Sequence, residues 1–275
     1  MIRFKQKNIS YPAPNKTINY LWQQVAASPP DADATAFLTA AGITDPTIST
    51  ATNEFVVDLK GYGIWTKMKA IYPFVGGTAT THKFNLKNPV DTNAAFRLVF
   101  VGGWTHSANG ALPNGTNAYA KTSFIPGTEM DSANNSVSFY SRTNSDSGID
   151  IGAWDGSRLY GLYARRSGRT FYYSGTTGLN PLNSNGLGFY CGFIDASNMY
   201  IYKNGAATSS GPIPSLALST RELYIGAENG NGSEAFFSNK ECAFASLGGS
   251  KLTTTEASNL YTAVQAFQTT LGRQV

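Results

Sequence analysis

The sequence predicts a mainly β protein, an antiparallel sandwich or jelly roll, with a small helical layer near its start and one amphipathic helix at its end. Two observations lead there. After about His82 the apolar residues recur with period two in short runs, separated by Gly, Asn, Asp and Ser clusters at roughly 8–15-residue spacing. Apart from one short stretch between the early prolines, helical periodicity runs through residues 31–75 and 253–271. Composition agrees: 13% aromatic residues, 14% charged residues and 28 Gly describe a rigid β domain displayed outside a cytoplasm, not a disordered chain.

Residues 1–30 are expected to be extended or irregular, because Pro12, Pro14, Pro29 and Pro30 forbid a long helix. Between those prolines "NKTINYLWQQVAAS" offers one short helical turn with Ile18, Leu21, Trp22 and Val25 on a face. Residues 31–80 form the helical lead-in. "DADATAFLTAAG" opens on Asp caps and closes at Gly42, and "TDPTISTATNEFVVDLKGYG" starts at Thr44 or Asp45 with Pro46 in its first turn. "IWTKMKAIYPFVGG" is expected to add a third short turn, stopped by Pro73 and Gly76–Gly77.

Residues 81–252 hold the strands: "AAFRLVFVGG", "AYAKTSF", "NSVSFYSRTN", "GIDIGAWDG", "SRLYGLYAR", "GRTFYYSG", "GLGFYCGFI", "NMYIYKNGAA", "RELYIGAEN" and "CAFASLGG". Asn204-Gly205 and Ser167-Gly168 fit type I′ hairpins, whose two central residues both need positive φ. Ten such segments without helices between them give a sandwich or jelly roll. Residues 253–275 form the closing helix. Thr253 and Glu256 have capping-box spacing, and Ala257, Leu260, Tyr261, Val264, Phe267 and Leu271 make one apolar stripe. A single stripe needs a single surface, so the helix is expected against the sandwich beside the helices of residues 33–75.

Charge is unevenly placed. Arg3, Lys5, Lys7 and Lys16 contribute +4 within the first 16 residues, while the other 259 balance at 17 basic against 17 acidic. Mixed with Phe4, Ile9 and Tyr11, these cations resemble a protein-docking peptide more than a nucleic-acid grip. Arg3, Phe4, Lys5, Lys7, Ile9 and Tyr11 are the expected anchoring residues. The first residues lack the apolar core of a secretion signal, and no apolar run is long enough to span a membrane, so delivery inside a virus particle is one expected route. Cys191 and Cys242 read as small buried hydrophobes, with a disulfide as the alternative.

Several segments resemble a known module. "NGTNAYAKTSF" (114–124) with "NSVSFYSRTN" (135–144), the hairpin "NMYIYKNGAA" (198–207) and "RELYIGAENGNG" (221–232) resemble strands of laminin-G/concanavalin-like jelly rolls. Residues 237–275 and 58–89 resemble the tail and the helical lead-in of LamG-like modules in fibre or structural proteins of tailed phages of Bacteroidetes-type hosts. The resemblance spans residues 33–275. It implies a non-enzymatic virion protein on the outer surface of the particle: a head fibre, capsid decoration or receptor-binding spike. It also implies attachment to a host-surface glycan and, by analogy with phage fibres, a homotrimer that multiplies weak sites. The alternatives are a purely structural capsid component and a glycan-degrading enzyme of the same fold.

Glycosidases of this fold place acids on alternate strand residues in an E-x-D-x-x-E pattern; Glu129 and Asp131 fit, but Asn134 stands third. His82 and His106 are the only candidate bases, no G-x-S-x-G elbow accompanies Ser107, and both are expected on loops or strand ends facing solvent. Asp146, Asp150 and Asp155 are weak calcium candidates without a defined ligand loop; Asx-turns account for them, and no other cofactor is expected. A glycan site needs aromatic platforms with Asn or Asp partners. Trp104, Trp154, Tyr172 and Tyr173 are the platforms, with Asn109, Asn114, Asp155 and Asn229 beside them. The competing reading buries these aromatics in the core or a subunit contact, and alternation leaves this open because Tyr172 and Tyr173 face opposite sides of one strand.

Overall fold

The computed structural model describes residues 30–213 and 217–275. The expected anchoring residues Arg3, Phe4, Lys5, Lys7, Ile9 and Tyr11, and the short helix of residues 15–28, lie outside them.

The opening helices form where their caps predict. α1 (Ala32–Ala41) begins with the Asp31 carboxylate accepting from the Asp33 N–H and ends at Gly42 with φ 65°. α2 (Pro46–Gly61) begins with Asp45 accepting from the Ile48 N–H and Pro46 at the first helical position. The third expected turn is corrected. Only Trp65–Lys67 coils, as a 3₁₀ turn, and Met68–Tyr72 is strand β1. Five residues are too short for local periodicity to decide; the partner that extends them lies some 170 residues downstream, with Ile71 opposite Ser246.

The remaining strands in chain order are β2 (Val99–Val101), β3 (Trp104–Ser107), β4 (Gly110–Pro113), β5 (Tyr119–Lys121), β6 (Asn134–Ser141), β7 (Ile151–Trp154), β8 (Leu159–Arg166) and β9 (Arg169–Gly175). They continue with β10 (Thr177–Leu179), β11 (Gly188–Asp195), β12 (Asn198–Lys203), β13 (Ala206–Pro212), β14 (Tyr224–Ile225), β15 (Glu228–Gly230), β16 (Ser233–Ala235) and β17 (Cys242–Gly248). Two one-turn helices, α3 (Ala79–His82) and α4 (Pro126–Glu129), sit in the connections, and α5 (Thr254–Thr270) follows β17. The first sheet runs β13-β12-β11-β6-β17-β4-β3, with β1 also on β17; the second runs β10-β9-β8-β7-β14-β5-β2, with β15 on β7 and β16 on β15. Asn204 and Gly205 have φ of 48° and 76°, and Ser167 and Gly168 have 50° and 68°, as type I′ turns require.

The layers are helix, sheet, sheet. One core lies between the sheets, around Val137, Phe139, Tyr160, Leu162, Tyr172 and Leu247; the other lies between the first sheet and the helices, around Phe37, Phe55, Phe189, Phe193, Phe244 and Phe267. The first sheet is therefore covered on both faces, and every residue of β17 is buried. Cys191 faces the helical core and Cys242 the inter-sheet core; both are free thiols, because the sheet stands between them. α5 carries the reciprocal Thr253–Glu256 capping box, and its Phe267 ring lies 5.1 Å from that of Phe55 on α2. Just past it, Arg273 turns back into the protein and is fully buried. Among the described residues no helix is long and apolar enough to cross a membrane.

Both histidines depart from the solvent-facing expectation. His82 is buried at the end of α3, its Nδ1 2.9 Å from Nδ1 of half-buried His106 on β3. His82 Nε2 accepts from the Gly77 N–H, so neutral His82 carries its proton on Nδ1 and donates it to His106. Burial first, then the His106 ring and the Arg273 cation, push His82 down to about 3. The unfolded chain binds this proton near pH 6.5. Unfolding therefore takes up a proton between those values, and stability, complete above pH 6.5, falls with acidification by up to ~1.4 kcal/mol per pH unit. Urea titrations at pH 7.5, 5.5 and 4.5 are expected to show this slope, and His82→Gln is expected to flatten it; an unchanged slope in the variant contradicts the assignment.

Candidate functional site

The outward face of the second sheet carries the site. On β7, β8 and β9, Ile151, Ala153, Tyr160, Leu162 and Tyr172 point into the inter-sheet core, so Gly152, Trp154, Leu159, Gly161, Tyr163, Phe171 and Tyr173 point out. Register aligns them in rows. Glu228 of β15 stands opposite Gly152, Gly152 opposite Gly161, and Gly161 opposite Tyr173. The next rows place Trp154 opposite Leu159 and Tyr163 opposite Phe171. At the two glycines the row has no side chain of its own. The buried Ile149 Cδ1 methyl fills that space, 2.2 and 2.7 Å from where a Cβ would stand, so a side chain at either position would displace it.

The result is a groove of about 640 Å³ lined by Trp154, Tyr163, Phe171, Tyr173 and Phe236, with Arg166 and Glu228 among them. Trp154 is 40% exposed and Phe236 49%. The Phe171 and Tyr173 rings lie parallel within 5°, with centroids 6.0 Å apart. Phe236 has φ +50°, an uncommon conformation for a bulky residue, and the Arg166 guanidinium lies 4.5 Å from its ring centroid. Arg166 also reaches Tyr163 Oη at 3.4 Å. Glu228 is only 5% exposed, and burial raises its carboxyl against the lowering effect of Arg166. Burial, then the Glu228 charge, likewise raises the Tyr163 hydroxyl.

The expected site residues divide. Trp154 lines the groove and Tyr173 faces it. Tyr172 does not; it is fully buried and donates from its hydroxyl to Asn135 Oδ1, so its ring is core. Asp155 and Asn229 shape turns at the groove's edge. Burial opposes the Asp155 charge, but donation from the Thr220, Arg158 and Ser157 N–H groups outweighs it and holds the carboxyl at about 2. Asn229 accepts from the Gly232 N–H and donates to the Glu222 carbonyl. Trp104 belongs elsewhere: its indole N–H donates to the Val101 and Tyr119 carbonyls, and its ring packs on Phe100 and His106. Asn114 is consumed by its own turn, accepting from Thr116, Asn117 and Ala118, and exposed Asn109 lies in the β3–β4 turn.

The three aspartates considered for calcium do not converge; among the described residues no three His, Cys, Asp or Glu side chains cluster. Asp146 accepts from the Ser167 and Gly168 N–H groups, and Asp150 is buried against Lys240. Sequence reasoning missed Phe171, Phe236, Arg166 and Glu228. The alternation of "RTFYYSG" held the signal for Phe171, whose side is that of Tyr173. Nothing local in "EAFFSNK" distinguishes exposed Phe236 from its neighbour.

No protein-family model matches the chain, and no curated protein sequence does. Solved structures are similar to it in fold. Domain 4 of AbnA, a GH43 extracellular arabinanase from Geobacillus stearothermophilus in complex with arabinotriose, aligns with TM-score 0.50 and 16% identity over 70% of this chain and 98% of that one. A Trypanosoma rangeli sialidase mutant displaying trans-sialidase activity aligns with TM-score 0.50 and 11% identity over 78% of this chain and 39% of that one. The shared feature is the β-sandwich.

Proposed function

We propose that the groove on the second sheet binds carbohydrate and that the protein is a glycan-binding module without turnover. The observation that carries this reading is the set of partly exposed rings, Trp154, Phe171, Tyr173 and Phe236, in one groove with Arg166 and Glu228. Apolar sugar faces stack on such rings while hydroxyls meet the polar groups, and the volume lies in the range of small-ligand sites. The arabinotriose complex of the similar arabinanase domain is consistent with it. Hydrolysis by paired acids needs a second carboxyl about 5–9.5 Å from the first. Among the described residues Glu228 is the groove lining's one carboxylate, which supports recognition rather than cleavage. The site is built from side chains that need no metal, so chelation is expected to leave binding unchanged.

The resemblance to phage modules extends the reading to a displayed virion protein, anchored by residues 1–30 and multiplied in a trimer. The location of residues 1–30 in an intact particle tests that part.

Binding itself is tested on a glycan array, followed by calorimetry. Trp154→Ala and Tyr173→Ala are each expected to weaken a bound oligosaccharide about tenfold or more, since losing one stacked ring removes roughly 1.5–3 kcal/mol of apolar burial. A uniformly blank array with folded protein sinks the proposal and leaves a structural role.

A further inference from the structure

We infer, building on the reading of the groove as a carbohydrate site, that Glu228 and Arg166 together restrict its ligands to neutral sugars bearing adjacent hydroxyls and exclude acidic ones. Glu228 is the anchor of the argument. The residue is only 5% exposed, and the part it shows lines the groove, within the field of Arg166. A largely desolvated carboxylate that opens onto a groove is placed to accept hydrogen bonds from a ligand there. It lines the groove, and the two side-chain-free positions Gly152 and Gly161 separate it from Tyr173. Three inter-strand steps, roughly 14 Å between Cα atoms, set the span between the Glu228 carboxylate and the Tyr173 ring that a ligand touching both must cover.

Arg166 is the complementary half. Its side-chain hydrogen bonding among the described residues is the long contact to Tyr163 Oη, and its guanidinium packs over the Phe236 and Tyr163 rings rather than against an acid. Its remaining N–H groups can donate to a ligand oxygen. A sugar hydroxyl that donates to Glu228, next to an oxygen that accepts from Arg166, satisfies both groups at once. Arg166 alone would favour an anion. Glu228 in the same groove reverses that preference, because a ligand carboxylate there would meet a second negative charge and present acceptors to an acceptor. Sites built to hydrogen-bond a hydroxyl discriminate strongly against ligands that leave the buried partner unmatched.

The test uses the full chain on matched neutral and acidic oligosaccharides, the latter ending in sialic or uronic acid. Wild type is expected to hold neutral probes at least tenfold more tightly than their acidic counterparts. Glu228→Ala is expected to weaken neutral probes tenfold or more, and Glu228→Gln to narrow the neutral-to-acidic ratio at least threefold. Thermal melting separates this from structural damage: both variants remove a carboxylate whose charge burial disfavours, so their melting temperatures are expected to hold while binding falls. Wild-type preference for acidic probes, or Glu228 variants that bind as wild type does, overturns the inference. If Trp154→Ala abolishes binding and Glu228→Gln leaves ratios unchanged, the carbohydrate reading stands and this inference falls. A wild type that binds no glycan overturns both.

Discussion

Arg273→Ala is expected to cost about 3–5 kcal/mol of unfolding free energy, because several buried acceptors lose a charged donor and each left unpaired costs roughly 1–3 kcal/mol. At this size that corresponds to a melting temperature lower by roughly 6–20 °C. The guanidinium is 1% exposed and makes five hydrogen bonds. Nε donates to Gln268 Oε1 at 2.6 Å, Nη1 to the Phe74 and Ala108 carbonyls at 2.7 and 3.3 Å, and Nη2 to the Pro73 and Ala243 carbonyls at 2.6 and 2.9 Å. Those acceptors lie within α5, after β1, between β3 and β4, and within β17. One side chain thus ties the closing helix to three other segments. Truncation leaves the acceptors dry and unpaired, which is the expensive half of losing a hydrogen bond. Arg273→Met refills most of the volume and none of the bonds, so it is expected to cost nearly as much as Ala. Arg273→Lys keeps the charge without the planar fork and is expected to recover only part. Urea unfolding of the three variants decides; a loss below about 1 kcal/mol for Ala would show that water replaces the guanidinium at these carbonyls.

The second large effect is expected at the pair formed by Asp150 and Lys240, both side chains of which are fully buried. Lys240 Nζ lies 3.4 Å from Asp150 Oδ1 and also reaches Ser147 Oγ and the Ser147 and Gly148 carbonyls. Asp150 Oδ1 accepts from Ser238 Oγ at 2.6 Å, and Oδ2 from the Ala164 N–H at 2.7 Å. Asp150→Ala strands a buried ammonium and Lys240→Met strands a carboxylate, so each is expected to lose about 3–5 kcal/mol. The double variant Asp150→Asn with Lys240→Met has no buried charge and is expected to recover much of it, a coupling that a double-mutant cycle measures directly. Additive losses would contradict a mutually dependent pair.

The aspartates show why local reading stops short of the site. "TNSDSGIDIGAWDG" contains three acids in ten residues, and spacing alone invites a shared ion. In the fold, Asp146 turns to the Ser167–Gly168 hairpin, Asp150 to Lys240 ninety residues on, and Asp155 to its own turn and Thr220. Trp154 was legible because an exposed tryptophan beside a turn aspartate is a local pattern. Tyr172 was not separable from Tyr173, because alternation assigns opposite faces without saying which face is core. Glu228 and Arg166 meet in one groove only because β15 adds in parallel to β7.

What the sequence by itself determined is what depends on neighbours a few residues apart: the Asp31 and Asp45 caps, the Thr253–Glu256 box, the Asn204-Gly205 and Ser167-Gly168 turns, the period-two strands and the stripe of α5. Backbone dihedral limits and side-chain periodicity act at that range, so composition and spacing carry them. Tertiary structure decided the rest: β1 as a strand on β17, burial on both faces of the first sheet, the descent of Arg273 into the core, and the aromatic face left open on the second sheet. Each follows from pairing and desolvation between segments tens to hundreds of residues apart. Such an energy belongs to the pair and is invisible in either segment alone.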